Sequence, residues 1–224
     1  MDKKDEEKFP SEHNKDFKPR SISADGLTIQ ILKESPYYKL SRDRIVSYWP
    51  LLAQENLDRK DLELLLRFLD TGLFHGLLLG SHGRLVRVEG DIFAPVSGNP
   101  RALTISDSCN PPHAIIWLCG SLDRDYRKVL KLDKLFQLRL LIHEMCHAYI
   151  ELYWNYKRED AFLVEGKDDS HGYIFWMIYN HIIGRVRTWS PEFNAILTVQ
   201  AEDILPYASN AEKGAFIELG KPWG

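Results

Sequence analysis

The sequence predicts an α+β fold in which a small antiparallel or mixed sheet packs on helices around one central helix. Short segments rich in Val, Ile and Leu follow one another between about residues 83 and 119, separated by Gly, Pro and Asn. A longer apolar segment at about 133–154 has helical periodicity, with further helical patterns on both sides of it. With 44% hydrophobic residues, a chain of 224 residues can bury one core.

The first clear helix is predicted in "LDRKDLELLLRFLDTGLFHG", residues 57–76. Asp58 or Asp61 can cap its start by accepting a backbone N–H. Gly72 and Gly76 are expected to end it. The apolar residues at helical spacing, which should face the core, are Leu62, Leu65, Leu66 and Leu69.

Three strands are expected next. Their segments are "RLVRVEG" (84–90), "ALTISD" (102–107) and "HAIIWLC" (113–119). The segment "SCNPPH" should form the loop between the last two strands, because Asn and Pro favour turns.

The helix predicted at about 133–154 is apolar nearly all round, which favours a central position in the fold. One face carries Leu135, Leu138, Ile142, Met145, Tyr149 and Leu152, and the other carries Phe136, Leu140, His143, His147 and Ile150. A later helix in "HGYIFWMIYNHIIGRV" should begin with Asp169 or Ser170 as its cap.

These elements suggest four regions. The charged residues 1–25 read as a disordered leader and residues 26–58 as an N-terminal extension. The predicted core spans residues 59–190, and a C-terminal segment covers residues 191–224.

Composition and charge argue against several classes of protein. The net charge of -3 and a pI near 6.2 give no global attraction to nucleic acid. The three cysteines are an odd number without CxxC spacing, which argues against a disulfide framework and a four-cysteine zinc ribbon. The leader does not resemble a signal peptide, and no apolar run is long enough for a membrane span. We therefore expect an intracellular protein, nuclear or cytoplasmic, that binds no membrane.

The central helix contains the pattern HExxH in His143, Glu144 and His147. Residues four apart share one helix face, so both imidazoles can reach one Zn²⁺ at about 2.0–2.1 Å. Glu144 can then take the proton of a water activated by the metal. The alternative is a pair of core histidines satisfied by backbone or carboxylate partners.

A catalytic zinc needs a third protein ligand and an open position. Metzincins continue the pattern with a glycine and a histidine, where this chain has Ile150 and Tyr153, so that subclass is excluded. Two candidates lie downstream. His171 stands beside a glycine at the start of a predicted helix and is favoured over Glu165, which lies in a polar segment that looks like a loop.

The motif and the segment downstream of it resemble the SprT-like zinc metalloprotease domain, a Spartan-related family. The resemblance is carried by "LLIHEMCHAYIEL" followed by "SHGYIFWMIYNHI", and less specifically by "FLDTGLFHGLL" and "HAIIWLCGSL". It covers about residues 60–185. It implies a zincin-like fold with a central HExxH helix, His143, His147 and His171 as zinc ligands, and Glu144 as the catalytic glutamate.

The resemblance also implies peptide-bond hydrolysis in proteins crosslinked to DNA, with DNA or DNA-bound proteins as further partners. The chain departs from the family at Ser170, where glycine is usual, and at Tyr173, where proline is common. Spartan-like proteins also carry accessory segments that bind zinc, DNA or partner proteins. This sequence shows neither a cysteine cluster for a second zinc nor a basic tail. A basic cluster before the central helix, more simply read as a solvated face, comprises Arg124, Arg127, Lys128, Lys131 and Lys134.

Three further residues are candidates for the cleft. Tyr149 and Tyr173 could polarise a scissile carbonyl, and His181 could line the cleft or donate to an oxyanion. Cys146 should point away from the metal as a small buried hydrophobe.

The predicted function is zinc-dependent endopeptidase activity. Two alternatives stay open: a zinc-stabilised interaction module without proteolysis, and an intracellular peptidase with no role for DNA. The oligomeric state is not predicted.

Overall fold

The structure is a computed structural model that describes part of the chain. The described residues are 18, 20–52, 57–79, 86–90, 102–107, 113–118, 121–122, 129–130, 134–156, 161–165 and 171–195. In chain order, the helices are α1 (Ala24–Leu32), α2 (Tyr38–Tyr48), α3 (Arg59–Leu73), α4 (Lys134–Tyr153), α5 (Ala161–Glu165), α6 (Tyr173–Arg187) and α7 (Pro191–Ala195), with a 3-10 turn at Trp49–Leu51. Across these ranges, no helix is both long and apolar enough to cross a membrane.

The sheet is small and mixed. Its strands are β1 (Val86–Gly90), β2 (Ala102–Asp107) and β3 (His113–Leu118). Strand β3 lies in the middle, parallel to β1 and antiparallel to β2. The three strands predicted from the sequence are thereby confirmed. A second pair, β4 (Ser121–Leu122) with β5 (Val129–Leu130), was not predicted, because two-residue strands leave no periodic pattern.

Helix α4 is the centre of the fold. Strands β2 and β3 pack on one side of it, and α3 and α6 pack elsewhere around it. Its buried residues include members of both predicted faces, from Leu138 and Met145 to Ile150. The predicted central helix is therefore confirmed, with its ends one residue inside the expected range.

The start of α6 differs from the prediction. Gly172 is the N-cap, in extended conformation, and makes no side-chain capping bond. Asp169 and Ser170, the predicted caps, lie outside the described residues. His171 therefore precedes the helix instead of beginning it.

Helix α3 begins as expected and ends differently. Asp58 is the N-cap and accepts the backbone N–H of Asp61 at 2.8 Å. Gly72 was predicted to end the helix but lies inside it, where a Cβ atom would stand 2.6 Å from the Cβ of Ser41. Glycine is needed at this position because α2 and α3 approach closely, not because the helix stops.

Asp70 holds the turn that follows α3. Its two carboxylate oxygens accept the backbone N–H groups of Leu78 at 3.0 Å and Leu79 at 2.9 Å. The turn contains His75 and Gly76 at positive φ. Complete burial raises the pKa of Asp70 to about 7, and the two backbone donors oppose this rise.

The N-terminal region is tied to the end of α4. The backbone N–H of Arg20 donates to the carbonyl of Leu152 at 2.8 Å, and that of Ile22 donates to Tyr153 at 2.9 Å. Helix α1 begins at Ala24, next to the boundary predicted at residue 25 for the leader. Residues 1–17 and 19 of that leader lie outside the described residues, as do residues 196–224 of the C-terminal segment.

Lys134 does not belong to a basic surface. It is 2% exposed, and its Nζ atom donates to the carbonyl of Trp49 at 3.2 Å. Trp49 in turn donates its Nε1–H to Glu192 at 2.8 Å, which joins α7 to the start of α4. The other four members of the predicted basic cluster lie outside the described residues.

Asp70 predicts a pH dependence of stability. The folded protein holds the Asp70 proton up to a pKa of about 7, whereas the unfolded chain releases it near the ordinary aspartate pKa of 3.8. The folded state therefore binds more protons in this range, and the free energy of unfolding should fall as pH rises, by about 1.4 kcal/mol per pH unit.

Urea denaturation of the wild type and of Asp70→Asn from pH 4 to pH 8 isolates this group, because other titrations cancel in the difference. The wild type's advantage over the variant should shrink with rising pH and level off above about pH 7. A constant difference would mean that the two backbone donors keep the carboxylate ionised throughout.

Candidate metal centre

Helix α4 brings His143 and His147 together. One helical turn separates them, and their Nε2 atoms lie 3.2 Å apart. The same turn carries Glu144, which is 5% exposed. The HExxH residues thus sit on α4, a helix most of whose residues are buried.

His171 completes a triangle from outside the helix. Its Nε2 atom lies 3.0 Å from that of His147 and 3.1 Å from that of His143. The neighbouring Gly172 fixes the approach, since its backbone N–H donates to the carbonyl of Val164 in α5 at 3.1 Å. Among the described residues, these histidines form the group that could hold a metal ion. The structure does not describe the side chain of Glu165, the alternative third ligand.

Hydrogen bonding alone cannot satisfy this triangle. Each imidazole nitrogen offers one in-plane direction, occupied by either a proton or a lone pair, so it cannot donate to one neighbour and accept from the other. At least one of the three contacts therefore sets two lone pairs or two protons against each other. A cation between the rings would satisfy all three lone pairs at once.

The distances fit such a cation. Three nitrogens bound tetrahedrally at about 2.0–2.1 Å from a zinc ion would lie about 3.3 Å apart. The measured Nε2 separations of 3.0–3.2 Å are close to that value. The donor set therefore fits a metal ion that accepts nitrogen ligands.

Burial favours the neutral form of the His143 and His147 imidazoles. It lowers the pKa of His143 to about 3, with smaller contributions from the charges of His171 and Arg139. Burial also lowers the pKa of His147 well below its ordinary value, helped by the other two histidines of the triangle. Neutral imidazole is the form that binds metals, so the site avoids the competition of protons with a cation.

Aromatic rings hold the three imidazoles in place. Phe175 is fully buried and touches every one of them, stacking on His147 with ring centroids 4.4 Å apart. Trp176 stacks on His171 at 5.5 Å. Tyr179 meets His143 edge-on at 5.6 Å. These contacts restrict the ring planes and surround the nitrogen atoms with apolar surface on the side of α6.

Glu144 is held from the sheet side. The hydroxyl of Thr104 in β2 donates to its Oε2 atom at 2.6 Å. Burial raises the pKa of Glu144 to about 7, the Thr104 hydrogen bond opposes the rise, and the charge of Glu151 adds to it. A carboxyl group that titrates near neutrality can both accept and return a proton.

The other sequence candidates are not brought into the triangle. Tyr149 was wrongly predicted as a cleft residue: it is buried in the core, where its hydroxyl donates to the carbonyl of Leu27 at 3.2 Å. His181 lies about 12 Å along α6 from its first residue, given the rise of about 1.5 Å per helical residue. Tyr173 is the first residue of α6 and is 47% exposed. Cys146 is buried, as predicted.

Several residues that contact the site, Phe175 and Thr104 among them, were missed from the sequence. Phe175 lies four residues after His171, and helical spacing could have placed it near that ring. Thr104 carried no such signal, because its contact with Glu144 depends on how the sheet packs on α4.

No protein-family model, curated protein or solved structure matched the chain. The likeness to the SprT-like domain therefore rests on the motifs of the sequence alone.

His171→Ala should remove metal binding, because two imidazoles leave the cation without its third anchor. We expect the affinity for Zn²⁺ and Co²⁺ to fall by more than roughly 10–100-fold. That range is typical when the residue removed only hydrogen bonds to a metal ligand. Competition with a chromophoric chelator measures this loss. His181→Ala is the matched control, since it removes a partly buried histidine nearby and should leave the affinity unchanged. Full affinity in His171→Ala would exclude this residue as a ligand.

Proposed function

We propose that this protein is a zinc-dependent endopeptidase of the SprT-like type. One observation carries the proposal: three imidazole Nε2 atoms meet within 3.2 Å of one another, on the helical turn that also carries a buried glutamate. The HExxH spacing and the resemblance of the surrounding motifs support the same function.

Zinc is the metal that the donors favour. Mg²⁺ and Ca²⁺ prefer oxygen ligands, whereas zinc accepts neutral imidazole and takes a tetrahedral arrangement without electronic penalty. Three protein ligands leave one tetrahedral position for water or substrate, as in catalytic zinc sites. His143, His147 and His171 would hold the ion.

The residues divide the chemistry between them. Zinc, when bound, supplies a Lewis acid that makes a water more acidic and polarises the scissile carbonyl. Glu144 accepts the proton that the attacking water loses and delivers a proton to the leaving amine. The rings of Phe175 and Trp176 exclude solvent from one side of the histidines, which strengthens electrostatic interactions there.

An interaction module stabilised by zinc is the less favoured alternative. Structural zinc is normally closed by four protein ligands, and the metal-binding group within the described ranges has three. Such a module would also have no need of a buried carboxyl beside its ligands, where ionisation is costly. Glu144 is thus better explained by proton transfer.

The substrates follow from the resemblance, which implies proteins crosslinked to DNA. DNA or DNA-bound proteins would then be partners of the enzyme. The alternative, a peptidase indifferent to DNA, agrees with the net charge of -3 and the sequence pI near 6.2. Both alternatives use the same metal centre and the same base.

Glu144→Gln should keep the metal and lose hydrolysis. The amide cannot accept a proton from water, and removal of a general base typically costs about 10²–10⁴-fold in rate. Cleavage of a denatured protein substrate and zinc content by mass spectrometry measure the two properties. Glu151→Gln, a second partly buried carboxyl on α4, is the control and should stay active. Equal activity in Glu144→Gln would remove the proposed base.

A DNA requirement separates the two classes of substrate. We expect the zinc-loaded chain to cleave a DNA-binding protein faster when single-stranded DNA is added, with Glu144→Gln as the blank. Cleavage at the same rate without DNA would favour a peptidase on ordinary protein substrates. No cleavage in either condition, with zinc bound, would contradict the hydrolase and favour the interaction module.

A further inference from the structure

The hydroxyl group of Thr104 lies at the junction between the sheet and the proposed base. It is 2.6 Å from Oε2 of Glu144 and 3.1 Å from the backbone carbonyl oxygen of the same residue. Both contacts join β2 to α4 across the side of the helix that faces the sheet. Thr104 therefore touches Glu144 twice, at its main chain and at its carboxyl group.

The sheet fixes the place of this hydroxyl. Thr104 pairs with Ile116 of β3, which is fully buried. Two residues further along β2, Ser106 hydrogen bonds to Glu151 on the same helix. Since side chains two apart in a strand share one face, β2 presents both hydroxyls to α4. The packing of β2 on α4 therefore sets the contact between Thr104 and Glu144.

We propose that Thr104 is a positioning residue that holds the Glu144 carboxyl group in one orientation during peptide hydrolysis. The inference rests on the proposed function, because it assigns a role to Thr104 only through the base. Nothing in the HExxH pattern implies it, since the residue lies on a strand far from the motif in sequence.

The geometry gives the Thr104 hydroxyl two acceptors on one residue. Its single proton can go to Oε2 of Glu144 at 2.6 Å or to the backbone carbonyl oxygen of Glu144 at 3.1 Å. Either hydrogen bond keeps β2 against this residue.

The side chain itself is stiff. Threonine is branched at Cβ, which restricts rotation about χ1, and its place in a paired strand fixes the backbone. Holding one carboxyl oxygen against β2 leaves the other oxygen to meet the attacking water. Loss of the hydroxyl should free the carboxyl group to rotate and should lower the rate of the chemical step.

A purely structural role would have different consequences. If the hydroxyl only joined β2 to α4, its removal would lower stability or metal content and would change catalysis no further. The decisive comparison is between Thr104→Ser and Thr104→Ala, because both lose the γ-methyl group and only the first keeps the hydroxyl. Ser106→Ala is the matched control, since it removes the neighbouring hydroxyl that contacts Glu151.

The experiment measures kcat and KM for a peptide substrate, zinc content and thermal unfolding in the wild type and the three variants. We expect Thr104→Ala to lose about 10–100-fold in kcat, the cost typical of removing an outer hydrogen-bond partner, with KM and zinc content unchanged. Thr104→Ser should recover most of the loss, and Ser106→Ala should retain the wild-type kcat.

Two results would overturn the inference in distinguishable ways. If Glu144→Gln is inactive and Thr104→Ala has the kcat of Thr104→Ser, Thr104 does not position the base and the proposed hydrolase stands. If the zinc-loaded wild type cleaves nothing, the proposed function fails and the role of Thr104 fails with it. Should Thr104→Ala unfold, equal kcat values in Thr104→Val and Thr104→Ser would equally exclude the role.

Discussion

The burial of α4 is the constraint on which the rest of this structure depends. The helix is enclosed by the sheet and by its neighbouring helices, yet it carries two histidines and a glutamate. Polar groups in such a place are costly unless they are satisfied. Their partners come from other elements of the fold. The Nε2 atom of His171, in the segment before α6, lies 3.0 Å from that of His147, and the hydroxyl of Thr104 in β2 donates to Glu144.

Contacts far from the metal centre hold α4 in place relative to the rest of the fold. The hydroxyl of Tyr153 donates to the carbonyl of Leu77 at 2.6 Å, which ties the end of α4 to the turn that Asp70 organises. At the other end, Lys134 is buried against Trp49. The helix is therefore anchored at both ends, and its middle turn can present a preorganised set of donors.

The sequence predicted what depends on local spacing and missed what depends on packing. The HExxH pair and the helix that carries it follow from residues one turn apart, and His171 follows from its place beside a helix start. Thr104 could not be predicted, because the contact needs the position of a strand relative to a helix. Gly72 was misread since a glycine can mark a helix end or a close crossing, and only the partner helix distinguishes them. Tyr149 was misplaced because α4 is apolar all round, so periodicity could not tell its core side from its cleft side.

X-ray absorption at the zinc edge tests the central claim most directly, because it counts and identifies the atoms bound to the ion. The account predicts a four-coordinate zinc with three imidazole nitrogens at about 2.0–2.1 Å and one further light atom from solvent. Substitution of His171 by Ala should remove one imidazole from that shell. Sulfur in the shell, a fourth protein ligand, or three imidazoles retained without His171 would contradict the account.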